Sequence, residues 1–194
     1  GNQQAKWLGK CPQCGAWDSF VELSQQEIKI SKEIAKSASA PSKAISIDEV
    51  EIQNFTRFST KDSELDLVLG GGVVEGSLVL IGGSPGIGKS TLLLKIGSNL
   101  AKDGKKTLYV SGEESQSQIK MRADRLNAVD KNLYLLTEIC LEDILLEVQK
   151  SDYKVLVFDS IQTLYSQNIT SAPGSITQVR EITFELMRLA KSQN

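Results

Sequence analysis

From Ile47 onward the sequence predicts an α/β fold built on a mainly parallel sheet. Three observations point there. Short apolar runs alternate with longer amphipathic segments, the runs are β-branched or Leu-rich, and one of them leads straight into GSPGIGKS, a glycine-rich turn that opens a helical pattern. A chain of 194 residues with 40% hydrophobic side chains has material for one such domain and a small appendage.

Strands are expected at SLVLIGG (77–83), KTLYVSG (106–112), NLYLL (132–136) and KVLVFDS (154–160). Helices are expected at residues 90–104, 115–126, 140–150 and 175–192. In the last of these, Ile176, Val179, Ile182, Leu186 and Leu189 recur at spacings of three and four, which puts them on one apolar stripe. Upstream, residues 1–23 are dense in Cys, Gly and Trp, whereas residues 24–46 are rich in Ser, Lys and Ala, the composition of a linker. The expected organisation is an appendage over 1–23, a linker over 24–46 and the α/β domain over 47–194.

Composition narrows the class. Twenty-two Lys plus Arg stand against 24 Asp plus Glu, a net charge of −2, so no global basic field attracts a polyanion and any nucleic-acid contact must be local. Three cysteines without a spaced framework argue against a disulfide-stapled secreted protein and for a reducing compartment, the cytoplasm. No apolar run reaches the roughly 18–20 residues of a membrane span, and the start, GNQQAKWLGK, has no signal-peptide core. The start also lacks an initiator Met, from which further residues upstream are expected.

GSPGIGKS fits G-x-x-x-x-G-K-[ST] and lies between an expected strand and an expected helix, where a phosphate loop belongs. Its backbone over Gly83, Ser84, Pro85, Gly86, Ile87 and Gly88 can curl so that N–H groups face phosphate oxygens, with the helix dipole behind them. Lys89 would reach the β and γ phosphates of ATP, Ser90 would offer its hydroxyl to Mg²⁺, and Thr91 would lie close by. Hydrolysis also needs acids at the carboxyl ends of other strands. In KVLVFDS the apolar run ends at Asp159, in the form of a Walker B strand whose acid binds Mg²⁺ through water, with a plain cap after a buried strand as the bland alternative. TLYVSGEES delivers Glu113 and Glu114, either of which could polarise the attacking water; a solvated acidic turn is the alternative.

KWLGKCPQCGAWDSF (6–20) carries one tight C-x-x-C pair, Cys11 and Cys14, with no histidine in the chain and only Cys140 besides. The pair reads as half of a metal site, as a redox motif or as a turn. Cys140, inside an apolar segment, reads as a small buried residue, and Arg122 and Arg125 as solvated. Trp7 and Trp17 read as packing over a small core, although Trp7 beside Lys6 and Lys10 could instead stack on a base.

With these motifs in place, LDLVLGGGVVEGSLVLIGGSPGIGKSTLL, YVSGEESQSQIKMRADRL and KVLVFDSIQT closely resemble the RadA (Sms) family of RecA-like bacterial DNA-repair ATPases, along the whole chain. The resemblance implies a RecA-like P-loop ATPase core, a four-cysteine zinc finger at the N-terminus, and hexameric rings on DNA. It further implies ATP-driven branch migration of recombination intermediates, on single-stranded or branched DNA and with RecA recombinase as partner. By it, Lys89, Ser90, Glu113 and Asp159 take the roles argued above, and Cys11 and Cys14 become two of four Zn²⁺ ligands, the preceding C-x-x-C-G of the family falling upstream of Gly1. The family's K-N-R-F-G motif and Lon-like domain are absent, and the chain stops where the next core strand begins, so a fragment that binds nucleotide without turnover is expected. Channel-facing loops in such rings follow the Walker B strand. This points to residues 165–181, whose Ser, Thr, Asn and Gly donate to phosphates and whose Arg180 adds one charge for DNA.

Two readings compete with a DNA-dependent ATPase motor. One is a P-loop kinase or metabolic NTPase acting on a small molecule, which the Glu on the second strand disfavours because it suits water activation better than transfer to an acceptor. The other is a nucleotide-gated scaffold that does not hydrolyse.

Overall fold

The computed structural model describes residues 45–49 and 56–192. The chain divides into two compact units, Gly1–Gln53 and Asn54–Asn194. Of the first, the description covers a single 3-10 turn, Ile47–Glu49. Cys11, Cys14, the tryptophans and residues 24–44 of the linker lie outside the described residues.

In the second unit, residues 57–74, to which no periodicity assigns an element, fold into an antiparallel ribbon of β1 (Arg57–Phe58) and β2 (Val73–Val74) around a short helix α1 (Ser63–Val68). Asp62 caps α1 by accepting from the Leu65 N–H, and Asp66 accepts from Ser59 and Thr60. Those bonds hold the Asp66 carboxyl below its ordinary range, Ser59 having the largest effect.

Helix α2 (Lys89–Lys102) then leads to β3 (Thr107–Ser111), α3 (Gln116–Arg125), β4 (Leu133–Leu136), α4 (Leu141–Gln149), β5 (Val155–Asp159) and α5 (Ile176–Ser192). The four helices and three of the strands agree with the sequence expectation to within two residues at each end. The strands pair in parallel in the order β4-β3-β5, with Ser111 opposite Asp159. β3 is central and buried along its whole length, which explains its unbroken apolar run. Leu108 and Val110 pack one face, with Leu141, Ile144, Ile182 and Leu186 of α4 and α5; Tyr109 packs the other, with Leu94, Ile119 and Ala123 of α2 and α3. Alternate residues of one strand therefore feed two cores, as a doubly wound α/β layer requires.

The fourth expected strand is a correction. Residues 77–83 have no regular secondary structure, and Leu78, Val79 and Leu80 are exposed. A strand exists by pairing, and none of the described residues lies in a ladder with this segment, so its apolar run has no sheet to join. The stripe on α5 also needs amending. Ile182 and Leu186 are buried and Leu189 packs against them, but Ile176 is 87% exposed at the first turn, and Gln178 is buried in the same helix instead.

Candidate nucleotide site

The phosphate loop occupies the turn before α2, as the spacing predicts. Gly86 and Gly88 adopt φ of +77° and +105°, values at which a Cβ is strained, and Gly88 is the N-cap from which α2 starts. Two of the motif's glycines are thus required by backbone geometry. The Lys89 ammonium donates to the carbonyls of Gly83 (2.7 Å) and Ser84 (2.9 Å), so the lysine is tethered across the mouth of its own loop. Thr91 lines an open cleft of about 490 Å³ together with Glu114, Gln118, Met121, Arg122 and Arg125.

Two neighbouring strands, β5 and β3, deliver the remaining groups. Asp159, the last residue of β5, is 9% exposed, and its Oδ1 accepts from the Ser90 hydroxyl at 3.0 Å across 69 residues of sequence. Its Oδ2 accepts from the buried Tyr109 phenol at 2.7 Å. Burial first, and then the bond to Asp159, raise the Tyr109 phenol far above its ordinary range, so it remains a donor. The peptide between Asp159 and Ser160 is cis, and the Ser160 hydroxyl donates to Glu113 Oε1 at 2.9 Å.

The two glutamates after β3 separate cleanly. Glu113 is exposed beside Ser160, whereas Glu114 pairs with Arg122, whose side chain is only 12% exposed. The expectation that Arg122 is solvated is thus overturned: the pair folds it against the start of its helix. Arg125 is exposed as expected. Ser115 caps α3 through a capping box with Gln118, which fixes the helix directly after the glutamates. Gly112 gives the necessary room. A Cβ there would lie 2.4 Å from Thr163 Oγ1 and 2.6 Å from Ile139 Cγ2.

Oxygen chemistry suits a hard cation. Ser90 and Asp159 converge as two oxygen donors beside the loop, a pair that could hold a divalent cation whose other ligands were phosphate and water. Among the described residues no cluster of three or more Cys, Asp or Glu could hold a metal by itself.

The loop after β5 is pinned more tightly than its composition suggests. Glu142 accepts from the Ser166 hydroxyl, the Gln167 N–H and the Asn168 amide. Burial opposes its ionisation, but these bonds outweigh it and hold the carboxyl below the usual range. Buried Gln178 donates to carbonyls of Ile169 and Ser171 and accepts from the Ser166 N–H. Several donors offered to DNA by the sequence reading are therefore engaged inside the fold. Arg180 lies in α5, 75% exposed and paired with Glu181. Cys140 is buried at the N-cap of α4, as expected. No helix among the described residues is long and apolar enough to cross a membrane.

Tyr109 and Ser160 escaped the sequence reading, and Arg122 reads there as solvated. They join the site through cross-strand register and a return contact from α3, neither of which leaves a local pattern.

Comparison with known proteins adds to this geometry. An AAA domain family matches residues 46–192. The chain belongs to the AAA domain family. A second family, described as rubredoxin metal binding domain, matches residues 1–22, upstream of the AAA domain. Over the whole chain, AAA domain included, the sequence is 71% identical to a DNA repair protein RadA of Campylobacter jejuni, 56% to one of Helicobacter pylori and 47% to one of Bacillus subtilis. It spans 44%, 43% and 43% of their lengths, respectively, so it covers less than half of these relatives.

Proposed function

We propose that the chain carries the nucleotide-binding site of a DNA-dependent ATPase that acts in DNA repair and recombination, promoting branch migration of recombination intermediates. The observation that carries this is the approach of Ser90 to Asp159 at the phosphate loop, with Glu113 held alongside by Ser160. Whole-chain similarity to the RadA relatives supports the biological setting.

In this reading the loop N–H groups and Lys89 bind the phosphates of ATP, and Thr91 borders the cleft that takes the rest of the nucleotide. Ser90 and Asp159 hold Mg²⁺, which would neutralise charge on the β and γ phosphates. Glu113 orients water at the γ-phosphorus and receives its proton as the β–γ bridging P–O bond breaks, giving ADP and phosphate. Glu114, engaged with Arg122, keeps α3 in place instead. DNA would meet the tip of the loop after β5, residues 170–175, with Arg180 nearby in sequence. Hexameric rings, partnership with RecA recombinase and a cytoplasmic place of action extend the same reading. Cys11 and Cys14 supply two thiolates toward a Zn²⁺ site; two alone make an incomplete tetrahedral shell.

The test is ATP turnover by a full-length protein containing this chain, with and without single-stranded DNA, beside Lys89→Ala. DNA-stimulated turnover that Lys89→Ala abolishes is the expected result. Turnover indifferent to DNA but dependent on a small-molecule acceptor would sink the motor and favour a kinase.

A further inference from the structure

The acid at the end of β5 is gripped from two sides. Ser90 takes Oδ1 and Tyr109 takes Oδ2. The torsion that rotates an aspartate carboxylate is broad, so a single hydrogen bond leaves the plane free to turn, and a second bond on the other oxygen fixes it. Tyr109 suits that task. It sits in the middle of β3 with 0% exposure, one strand over from Asp159 and on the face shared with Val157 and Ile119. A phenylalanine would fill the same space without a hydroxyl to desolvate, so packing alone does not account for the phenol.

We propose that Tyr109 is a positioning residue for Asp159, fixing its carboxylate plane so that Oδ1 and the Ser90 hydroxyl face the divalent cation of a bound nucleotide together. The inference rests on the reading of Asp159 as the acid on the magnesium side. Tyr109 touches neither nucleotide nor metal in this scheme. Its effect therefore falls on the Mg²⁺ requirement and not on nucleotide affinity in the absence of metal.

The experiment titrates fluorescent ADP into the chain over a range of Mg²⁺ and in EDTA, for wild type, Asp159→Asn and Tyr109→Phe, with melting temperatures alongside. Asp159→Asn is expected to remove most of the Mg²⁺-dependent gain in affinity. Tyr109→Phe is expected to raise the Mg²⁺ concentration for half-maximal effect about tenfold, as loss of an outer-shell partner does at other metal sites. Its affinity in EDTA should match wild type, and its melting temperature should fall by a few degrees at most, the cost of one buried hydrogen bond. An unmoved Mg²⁺ midpoint in Tyr109→Phe, while Asp159→Asn shifts, overturns the role of Tyr109 alone. No shift in Asp159→Asn overturns the reading of Asp159, and the inference falls with it. Loss of EDTA-state binding or of folding in Tyr109→Phe assigns the residue to the scaffold and likewise overturns the proposal.

Discussion

Two adjacent glutamates with the same side chain end in different chemistry because of what each meets. Glu113 meets a hydroxyl and solvent, whereas Glu114 meets a guanidinium that is itself largely buried. In the full-length protein, Glu113→Gln should therefore cut ATP turnover by about 100-fold or more, the scale of a lost general base, with nucleotide affinity little changed. Glu114→Gln should lower turnover far less and instead lower the melting temperature, since Arg122 loses its partner in a partly buried place. Steady-state turnover and thermal melts on the two variants separate the roles, and equal turnover losses would show the assignment wrong. The sequence placed both acids correctly at the end of a strand. It could not choose between them, because Ser160 and Arg122 reach them from 47 and 8 residues away.

At the scale of elements, the site is held by close approaches between strand ends. Gly112 lets the end of β3 pass against Thr163 and Ile139 with no room for a methyl group. Gly112→Ala is expected to destabilise the fold by about 1–3 kcal/mol and to lower turnover as well, because it displaces the neighbouring Glu113; urea unfolding measures the first effect. The loop after β5 depends on Glu142 in a comparable way. A carboxyl held below its ordinary pKa in the fold contributes stability that is present above the unfolded value and lost as pH falls through the folded one. Melting temperatures measured from pH 7 to about pH 3 should fall more steeply for wild type than for Glu142→Gln, with the gap between them closing at the acid end. Parallel curves would remove Glu142 as the source.

For the molecule as a whole, the conspicuous feature is apolar surface near the loop. Leu80 is 83% exposed, Leu78 and Val79 more than 40%, and Ile87 73%. A contiguous run of exposed apolar side chains favours association. Leu80→Ser should thus leave the melting temperature within about 2 °C of wild type, as surface substitutions do, while raising the concentration at which the chain stays monodisperse in light scattering. A large loss of stability would mean that Leu80 is buried in solution.

The sequence by itself determined the α/β class, the four long helices, three parallel strands and the identity of the phosphate loop, because each rests on local periodicity or on a contiguous motif. Its fourth strand failed for a reason of the same kind in reverse: apolar composition at residues 77–83 is local, but strandedness needs a neighbour. Only the tertiary structure decided that Tyr109 clamps Asp159, that Ser160 holds Glu113, and that Glu142 and Gln178 take up the donors of the loop after β5. Those contacts arise when register sets Ser111 opposite Asp159 and alternation turns Tyr109 toward the face where Asp159 waits. Hydrogen bonds between residues tens of positions apart have no signature in a linear pattern, since the chain specifies them only through the packing that brings the strands side by side.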